Sequence, residues 1–98
     1  MNVLEIPLYI SIVGFGEEVK TTDPFLVIKF DETSNITIDE DGTYSFPTIE
    51  VGTNYNVVVD YENSNVEIDF LCQGFNTQGV AALPLVNMLF YCDFTSNY

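Results

Sequence analysis

Apolar side chains recur at every second position along three stretches of this chain, and this period of two constrains the fold more than any other feature of the sequence. Successive side chains of a β-strand point to opposite faces, so the alternation predicts strands with one dry face and one wet face. The apolar sets are Tyr55, Val57, Val59 and Tyr61; Val66, Ile68, Phe70 and Cys72; and Val86, Met88, Phe90, Cys92 and Phe94.

The rest of the chain also favours strands, because β-branched and aromatic residues are concentrated in short runs between Gly, Pro, Asn and Asp. There are seven such runs and no helical pattern; the runs are residues 8–13, 25–30, 35–38, 43–46, 54–61, 66–72 and 85–94. A chain of 98 residues can bury one modest core and is too short for two. The sequence therefore predicts an all-β fold in which residues 1–98 form a single seven-stranded β-sandwich domain.

The chain is strongly acidic, since fifteen Asp and Glu residues are opposed only by Lys20 and Lys29, for a formal net charge of −13. Such a charge repels phosphate backbones and anionic lipid headgroups, so we expect neither nucleic acid nor membrane partners. A basic protein surface or divalent cations would relieve the repulsion. Apolar residues make up 47% of the chain, far more than an acidic disordered tail contains, so the chain should fold.

Residues 6–13 are apolar but differ from a targeting segment. No Lys or Arg precedes them, Glu5 does, and no small-residue cleavage motif follows. We therefore expect a buried strand here and not a signal peptide. Because no apolar run approaches the roughly 20 residues that a membrane-spanning helix needs, we expect a soluble protein.

The acidic tetrapeptide at residues 39–42, Asp-Glu-Asp-Gly, raises the question of a metal site. The β-rich runs 35–38 and 43–46 flank it, so the segment predicts a hairpin whose Gly supplies a positive φ and whose carboxylates lie in solvent. An EF-hand loop would carry a bidentate Glu where this chain has Thr48. We expect no cofactor, and a weak surface calcium site in this turn is the alternative.

The sequence offers no catalytic apparatus. It contains no His, which is the usual base for Ser, Thr and Cys nucleophiles near neutral pH. Paired carboxylates cleave glycosidic bonds only in a cleft that raises the pKa of one of them, and a small sandwich leaves little room for such a cleft. We therefore expect that the protein is not an enzyme and has no small-molecule substrate.

Residues 42–46 (Gly-Thr-Tyr-Ser-Phe), together with Ile49, Gly52 and residues 55–57 (Tyr-Asn-Val), resemble a motif of transthyretin-like and collagen-adhesin B-type sandwich domains. The matching pattern is G-x-Y-x-F followed by G-x-x-Y-x-V, and related Ig-like repeats on bacterial surfaces share it. The resemblance implies an Ig-like sandwich in which aromatic residues pack between two sheets. It implies little about function, because such domains serve as stalks, adhesins, carrier domains and virion decorations.

Residues 72–79, with Asn87 and Cys92, are similar to the paired-cysteine ending of some secreted Ig-like repeats. In a secreted repeat, Cys72 and Cys92 would form a disulfide that closes a loop of roughly 20 residues and contributes about 3 kcal/mol. In a protein assembled in the cytosol, both would remain small buried thiols. The sequence leaves both alternatives open, whereas a structural zinc site would need four N or S ligands.

An apolar segment ends the connection at residues 73–84. Its apolar residues lie where turn-forming residues indicate surface, and loops of this length usually carry contacts. We expect the segment to dock on a partner protein; the alternative is that it folds back over an open edge of the sandwich. The predicted docking residues are Val80, Leu83, Pro84 and Leu85.

Two functional classes agree with these features. The first is a structural decoration protein, made in the host cytoplasm and docked in many copies on a protein lattice such as a phage or virus capsid, and therefore located in the virion. The second is a secreted adhesin or stalk repeat at the cell surface. A chain that begins with Met1, carries no signal peptide and ends at Tyr98 without a linker favours the first class.

Overall fold

Strands form along most of the chain, and the all-β class is confirmed. The computed structural model describes residues 4–15, 19–30 and 34–95, and in these ranges it contains nine strands, a 3-10 turn at Tyr61–Asn63 and no α-helix. The strands are β1 (Glu5–Val13), β2 (Leu26–Lys29), β3 (Asn35–Ile38), β4 (Gly42–Glu50), β5 (Asn54–Asn56), β6 (Val58–Val59), β7 (Phe70–Phe75), β8 (Gln78–Val80) and β9 (Val86–Phe94).

The largest sheet has four strands in the order β4-β1-β9-β7. β1 and β9 pair in parallel at its centre, with Leu8 beside Val86 and Ile12 beside Phe90, while β4 and β7 are antiparallel edge strands. Buried and exposed residues alternate along β1 and β9. This sheet therefore has one face toward the core, as the side-chain period of two requires.

The remaining strands form a three-stranded sheet, β3-β2-β6, and a two-stranded sheet, β5-β8. Leu26, Ile28 and Ile38 of the three-stranded sheet belong to the same hydrophobic cluster as the inward residues of the four-stranded sheet. The rings of Phe30 and Phe46 lie 5.7 Å apart and connect the two layers. Two layers around one buried cluster are compatible with a β-sandwich.

The acidic tetrapeptide joins two sheets and does not close a hairpin. β3 pairs with β2, whereas β4 pairs with β1, where Gly42 lies opposite Ile12. The predicted hairpin between residues 35–38 and 43–46 is therefore wrong. Turn chemistry marks a chain reversal, and Gly42 has the expected positive φ of 153°, but the burial pattern of each strand decides which strands pair.

The part of the chain that the structure describes has nine strands, where the sequence predicted seven. The predicted strand at 54–61 divides at Val57, whose backbone N–H donates to the Thr77 carbonyl at 2.8 Å. β5, which precedes Val57, pairs with β8, and β6, which follows Val57, pairs with β2. The chain therefore passes from one sheet to another inside residues 54–61, which the sequence predicted to be one strand.

The apolar set of residues 85–94 is confirmed at its core, because four of its members are buried, namely Val86, Met88, Phe90 and Cys92. In residues 66–72 the prediction is wrong at Ile68, which is 98% exposed. Residues 68–69 form a turn that is closed by a hydrogen bond of 3.0 Å from the Phe70 N–H to the Glu67 carbonyl. The strand therefore begins at Phe70, and Ile68 lies before it.

Candidate docking surface

The predicted docking residues lie on a segment whose backbone is fixed at its start. β8 ends at Val80 and pairs with β5. Ala81, the next residue, is buried; its N–H donates to the Thr53 carbonyl at 2.8 Å, and its carbonyl accepts from the Gly52 N–H at 2.8 Å. These hydrogen bonds hold the start of the segment against the chain that flanks β5.

The side chains of the predicted docking residues are exposed. Val80 is 58% exposed and Leu83 is 62% exposed, and Pro84 and Leu85 are exposed as well. The backbone at the start of the segment therefore folds against a strand edge, while its apolar side chains face solvent; docking on a partner stays a prediction. A cluster of exposed apolar side chains is typical of contact surfaces. We call Val80, Leu83, Pro84 and Leu85 the docking segment.

A second group of exposed apolar side chains, which the sequence analysis missed, lies on the outer side of the four-stranded sheet, on β1, β7 and β9, while β4 contributes polar residues such as Thr43 and Ser45. The register places Val13 beside Tyr91 on neighbouring strands, and Phe75 opposite Leu89. Leu89 is partly buried and the other apolar residues of this surface are exposed. The sequence did contain a sign of this surface. Leu89 and Tyr91 are apolar, although they occupy the alternate positions of residues 85–94, which were expected to form the wet face. We call Tyr9, Val13, Leu71, Phe75, Leu89 and Tyr91 the outer face.

The outer face carries few charges for so acidic a chain. Glu5 and Glu50 lie opposite each other at one end of the sheet, and Asp93 lies opposite Leu71 near the other end. Neither Lys of the sequence belongs to these four strands; Lys29 is in β2, with its Nζ 3.9 Å from an Asp60 carboxylate oxygen. Near its centre the outer face therefore groups Val13, Leu89, Tyr91 and Phe75 beside the uncharged polar residues Ser11 and Gln73, with carboxylates toward its ends.

Cys72 and Cys92 lie opposite each other on β7 and β9, and their sulfur atoms are bonded at 2.02 Å. The Tyr61 hydroxyl accepts from the Cys72 N–H at 2.8 Å and lies 3.4 Å from the Cys72 carbonyl. The backbone polar groups of Cys72 thus point away from β9, as they do at the non-hydrogen-bonded pairs of antiparallel strands, where side chains approach most closely. This register suits the disulfide, one of the two alternatives that the sequence left open.

The carboxylates of the acidic tetrapeptide make separate contacts. Asp41 Oδ1 accepts a hydrogen bond from the Phe15 backbone N–H at 2.7 Å. Asp39 and Asp23 line an open depression of about 450 Å³. Within the ranges that the structure describes, no three His, Cys, Asp or Glu side chains form a metal-binding group. The weak calcium site stays a prediction, and Asp41 has a structural contact that the sequence did not reveal.

Glu67 joins the segment before β2 to the turn before β7. Its Oε1 accepts hydrogen bonds from the Lys20 N–H at 2.8 Å, from the Thr21 N–H, and from the Thr21 hydroxyl at 2.6 Å. The hydrogen bond from the Thr21 hydroxyl is the main reason that the pKa of the Glu67 carboxyl lies below its usual value, and the two backbone bonds act in the same direction. All three bonds stabilise the charged form of the carboxyl. The ionised carboxylate therefore supports the contact between the two segments.

Comparison with known proteins does not supply a function. No family model, curated protein or solved structure matches the chain. Among the described residues, no helix is long and apolar enough to cross a membrane. Chemically, apolar side chains held on a β framework can bury area against another protein, and carboxylates at the margin can pair with its cations.

Proposed function

We propose that the protein is a non-enzymatic binding module that attaches in many copies to a larger protein assembly, such as a phage or virus capsid. The observation that supports the proposal most directly is the docking segment, whose apolar side chains are exposed while its backbone is anchored through Ala81. A segment that is already ordered loses little conformational entropy when a partner covers it. Burial of its side chains therefore favours association.

In this proposal the two layers are an Ig-like sandwich of the kind that the motif at residues 42–57 resembles. The protein is made in the host cytoplasm and becomes part of the virion. Its partner is a protein lattice and not nucleic acid or a membrane, because a net charge of −13 repels phosphate groups and anionic lipid headgroups.

The cysteine pair favours a second candidate, a secreted adhesin or stalk repeat at the cell surface. Cys72 and Cys92 are bonded, and disulfides form in oxidising compartments and are rare in the cytosol, where the decoration protein would be made. Intact mass under native and reducing conditions, measured on protein from the cytoplasm and from the cell exterior, distinguishes the two candidates. Reduced protein in the cytoplasm favours the decoration protein, whereas oxidised protein that appears only outside the cell favours the surface repeat.

The proposed attachment is tested by adding the protein back to particles that lack it. Particles of the phage or virus that encodes the chain are purified, stripped of the protein, incubated with it and imaged by electron microscopy. We expect regular and saturable attachment. If the protein sediments alone at every concentration and also reaches the cell exterior with an oxidised cysteine pair, the capsid proposal is wrong and the surface repeat replaces it.

A further inference from the structure

The outer face lies on the opposite side of the sheet from the core, and most of its apolar side chains are exposed. Its strands are up to nine residues long, so the four-stranded sheet measures about 30 Å by 15 Å from strand geometry. These dimensions are comparable with one side of a small protein interface. Tyr and Phe are enriched at the centres of such interfaces, and the outer face contains Tyr9, Tyr91 and Phe75.

We propose that the outer face is a second docking surface, and that its occupant is a protein surface with an apolar centre bordered by Lys and Arg. The inference rests on the proposed function only in assuming that the protein binds another protein. The outer face differs from the docking segment in position, because its apolar residues lie on β1, β7 and β9. It also differs in charge, because carboxylates lie toward the ends of the sheet.

Charge complementarity identifies this occupant. Glu5 and Glu50 are directly opposite on neighbouring strands, and like charges in this position destabilise a sheet. The Thr48 hydroxyl donates to Glu5 at 3.2 Å, but a hydroxyl brings no positive charge. Neither Lys of the chain belongs to this sheet, so a partner surface that carries Lys or Arg would relieve the repulsion between the two carboxylates.

The same charges disfavour a second copy of this chain as the occupant. Two outer faces in contact would bring the Glu5 and Glu50 carboxylates of each copy close to a second molecule that also carries a net charge of −13. Like-charge juxtaposition across an interface opposes association. A basic border on the partner removes this repulsion and converts it into attraction.

The test uses two synthetic peptides of equal length as probes, one alternating Leu and Lys and the other alternating Leu and Glu. Each can present an apolar side as a strand, and they differ in the sign of the charges beside it. Binding of the fluorescently labelled peptides is measured by anisotropy with wild type, Tyr91→Thr and Phe75→Thr. The matched control is Val58→Thr, because Val58 lies on β6 and is 46% exposed, close to the 44% of Tyr91. Thr is compatible with strands, and the melting temperature of each variant shows that it is folded.

We expect the Leu-Lys peptide to bind wild type and Val58→Thr equally, and each outer-face variant about tenfold more weakly, as for loss of one aromatic anchor. We also expect Glu5→Gln with Glu50→Gln to weaken binding and to reduce its salt dependence. Equal binding of the Leu-Glu peptide, or equal weakening by Val58→Thr, would overturn the proposal. So would sedimentation of wild type as a dimer that Tyr91→Thr dissociates, because the occupant would then be a second copy.

Failure of this inference can be distinguished from failure of the proposed function. If the Leu-Lys peptide requires the outer face but the protein does not attach to particles, the docking surface stands and the capsid proposal fails. If the protein attaches to particles while Tyr91→Thr and Phe75→Thr bind both peptide and particles as wild type does, the capsid proposal stands and this inference fails.

Discussion

Asp41 lies in a surface turn, yet its carboxylate has a structural contact. It accepts the hydrogen bond from the Phe15 N–H at 2.7 Å. The preceding residue is Gly14, and a Cβ added to Gly14 would lie 2.0 Å from the Cys92 carbonyl oxygen, so the chain passes close to β9 here. Phe15 itself is buried, with its ring centroid 5.8 Å from that of Phe70. The carboxylate therefore helps to hold the chain where it leaves β1 and enters the core.

We predict that Asp41→Ala lowers the free energy of unfolding by about 1–2 kcal/mol, because it leaves the Phe15 N–H without its acceptor. Asp39→Ala is the matched control from the same turn. It should be neutral or slightly stabilising, because it removes one repelling charge from a chain of net charge −13. Urea denaturation of both variants checks the prediction, and equal stability of the two would show that the Asp41 contact is unimportant.

Phe46 contributes to the core between the two layers. We predict that Phe46→Ala destabilises the protein by about 3–5 kcal/mol, because Phe46 is buried against Phe30 and its loss leaves a cavity. Ile68→Ala is the control, since the exposed Ile68 has almost no burial to lose. Chemical denaturation measures both; a loss below about 1 kcal/mol for Phe46→Ala would place its side chain outside the core.

The sequence predicted the burial of single residues well along the long strand β9. Met88 and Phe90 are buried as expected, because nine consecutive strand residues keep the period of two. Ile68 belongs to the same kind of apolar alternation, but a turn precedes β7 and turns its side chain into solvent. Alternation specifies which residues share a face, but it does not specify where the strand begins.

At the scale of elements, the pairing of β7 with β9 holds the two cysteines in register. We predict that reduction, or Cys72→Ala with Cys92→Ala, lowers stability by about 3 kcal/mol, because the bond closes a loop with a sequence separation of 20 residues in the unfolded chain. Thermal denaturation with and without reductant measures the effect. A melting temperature that does not respond to reductant would contradict this prediction.

Glu67 gives the contact between two irregular segments a pH dependence. Its folded pKa lies below its ordinary value of 4.5, so its contribution to stability is present above that value and is lost as the pH falls through the folded pKa. We predict that Glu67→Gln is less stable than wild type at neutral pH and that the difference narrows as the pH falls below the ordinary value. Asp60, whose pKa is also lowered, is common to both proteins and cancels in the comparison.

Melting temperatures of wild type and Glu67→Gln across this acidic range check the prediction. Thr21→Val is a second variant, because it removes the hydroxyl that makes the largest contribution to the lowered pKa. We expect the melting temperature of Thr21→Val, like that of Glu67→Gln, to depend less on pH than the melting temperature of wild type does. A difference between wild type and Glu67→Gln that stays constant with pH would show that the charge of Glu67 does not support this contact.

Sequence reasoning was weakest for the pairing of elements. It identified the turn at residues 39–42 but assigned it to a hairpin, because local turn chemistry contains no information about the sheet to which each flanking strand belongs. It correctly expected Val80, Leu83, Pro84 and Leu85 at the surface, because they lie among turn-forming residues, and their docking role stays a prediction. It missed the outer face, because that surface is assembled from three strands that are distant in sequence and exists only after they pair.

At the scale of the whole molecule, the two apolar surfaces described above contain few charged side chains. The docking segment is apolar, and the centre of the outer face is uncharged, although the chain has fifteen carboxylates. Charges at the margin of an interface mainly change the rate of association, whereas buried apolar residues mainly change the rate of dissociation. High salt should therefore slow attachment to a partner more than it hastens release.

Attachment through the docking segment is tested by the affinity of the protein for stripped particles, determined by co-sedimentation for wild type, Leu83→Ser and the control Val58→Ser. Both substituted residues are exposed, but only Leu83 belongs to the docking segment. We predict that Leu83→Ser binds about tenfold more weakly than wild type, as for loss of one apolar anchor, and that Val58→Ser binds as wild type does. Equal affinity of all three proteins, or no binding by wild type, would contradict the account.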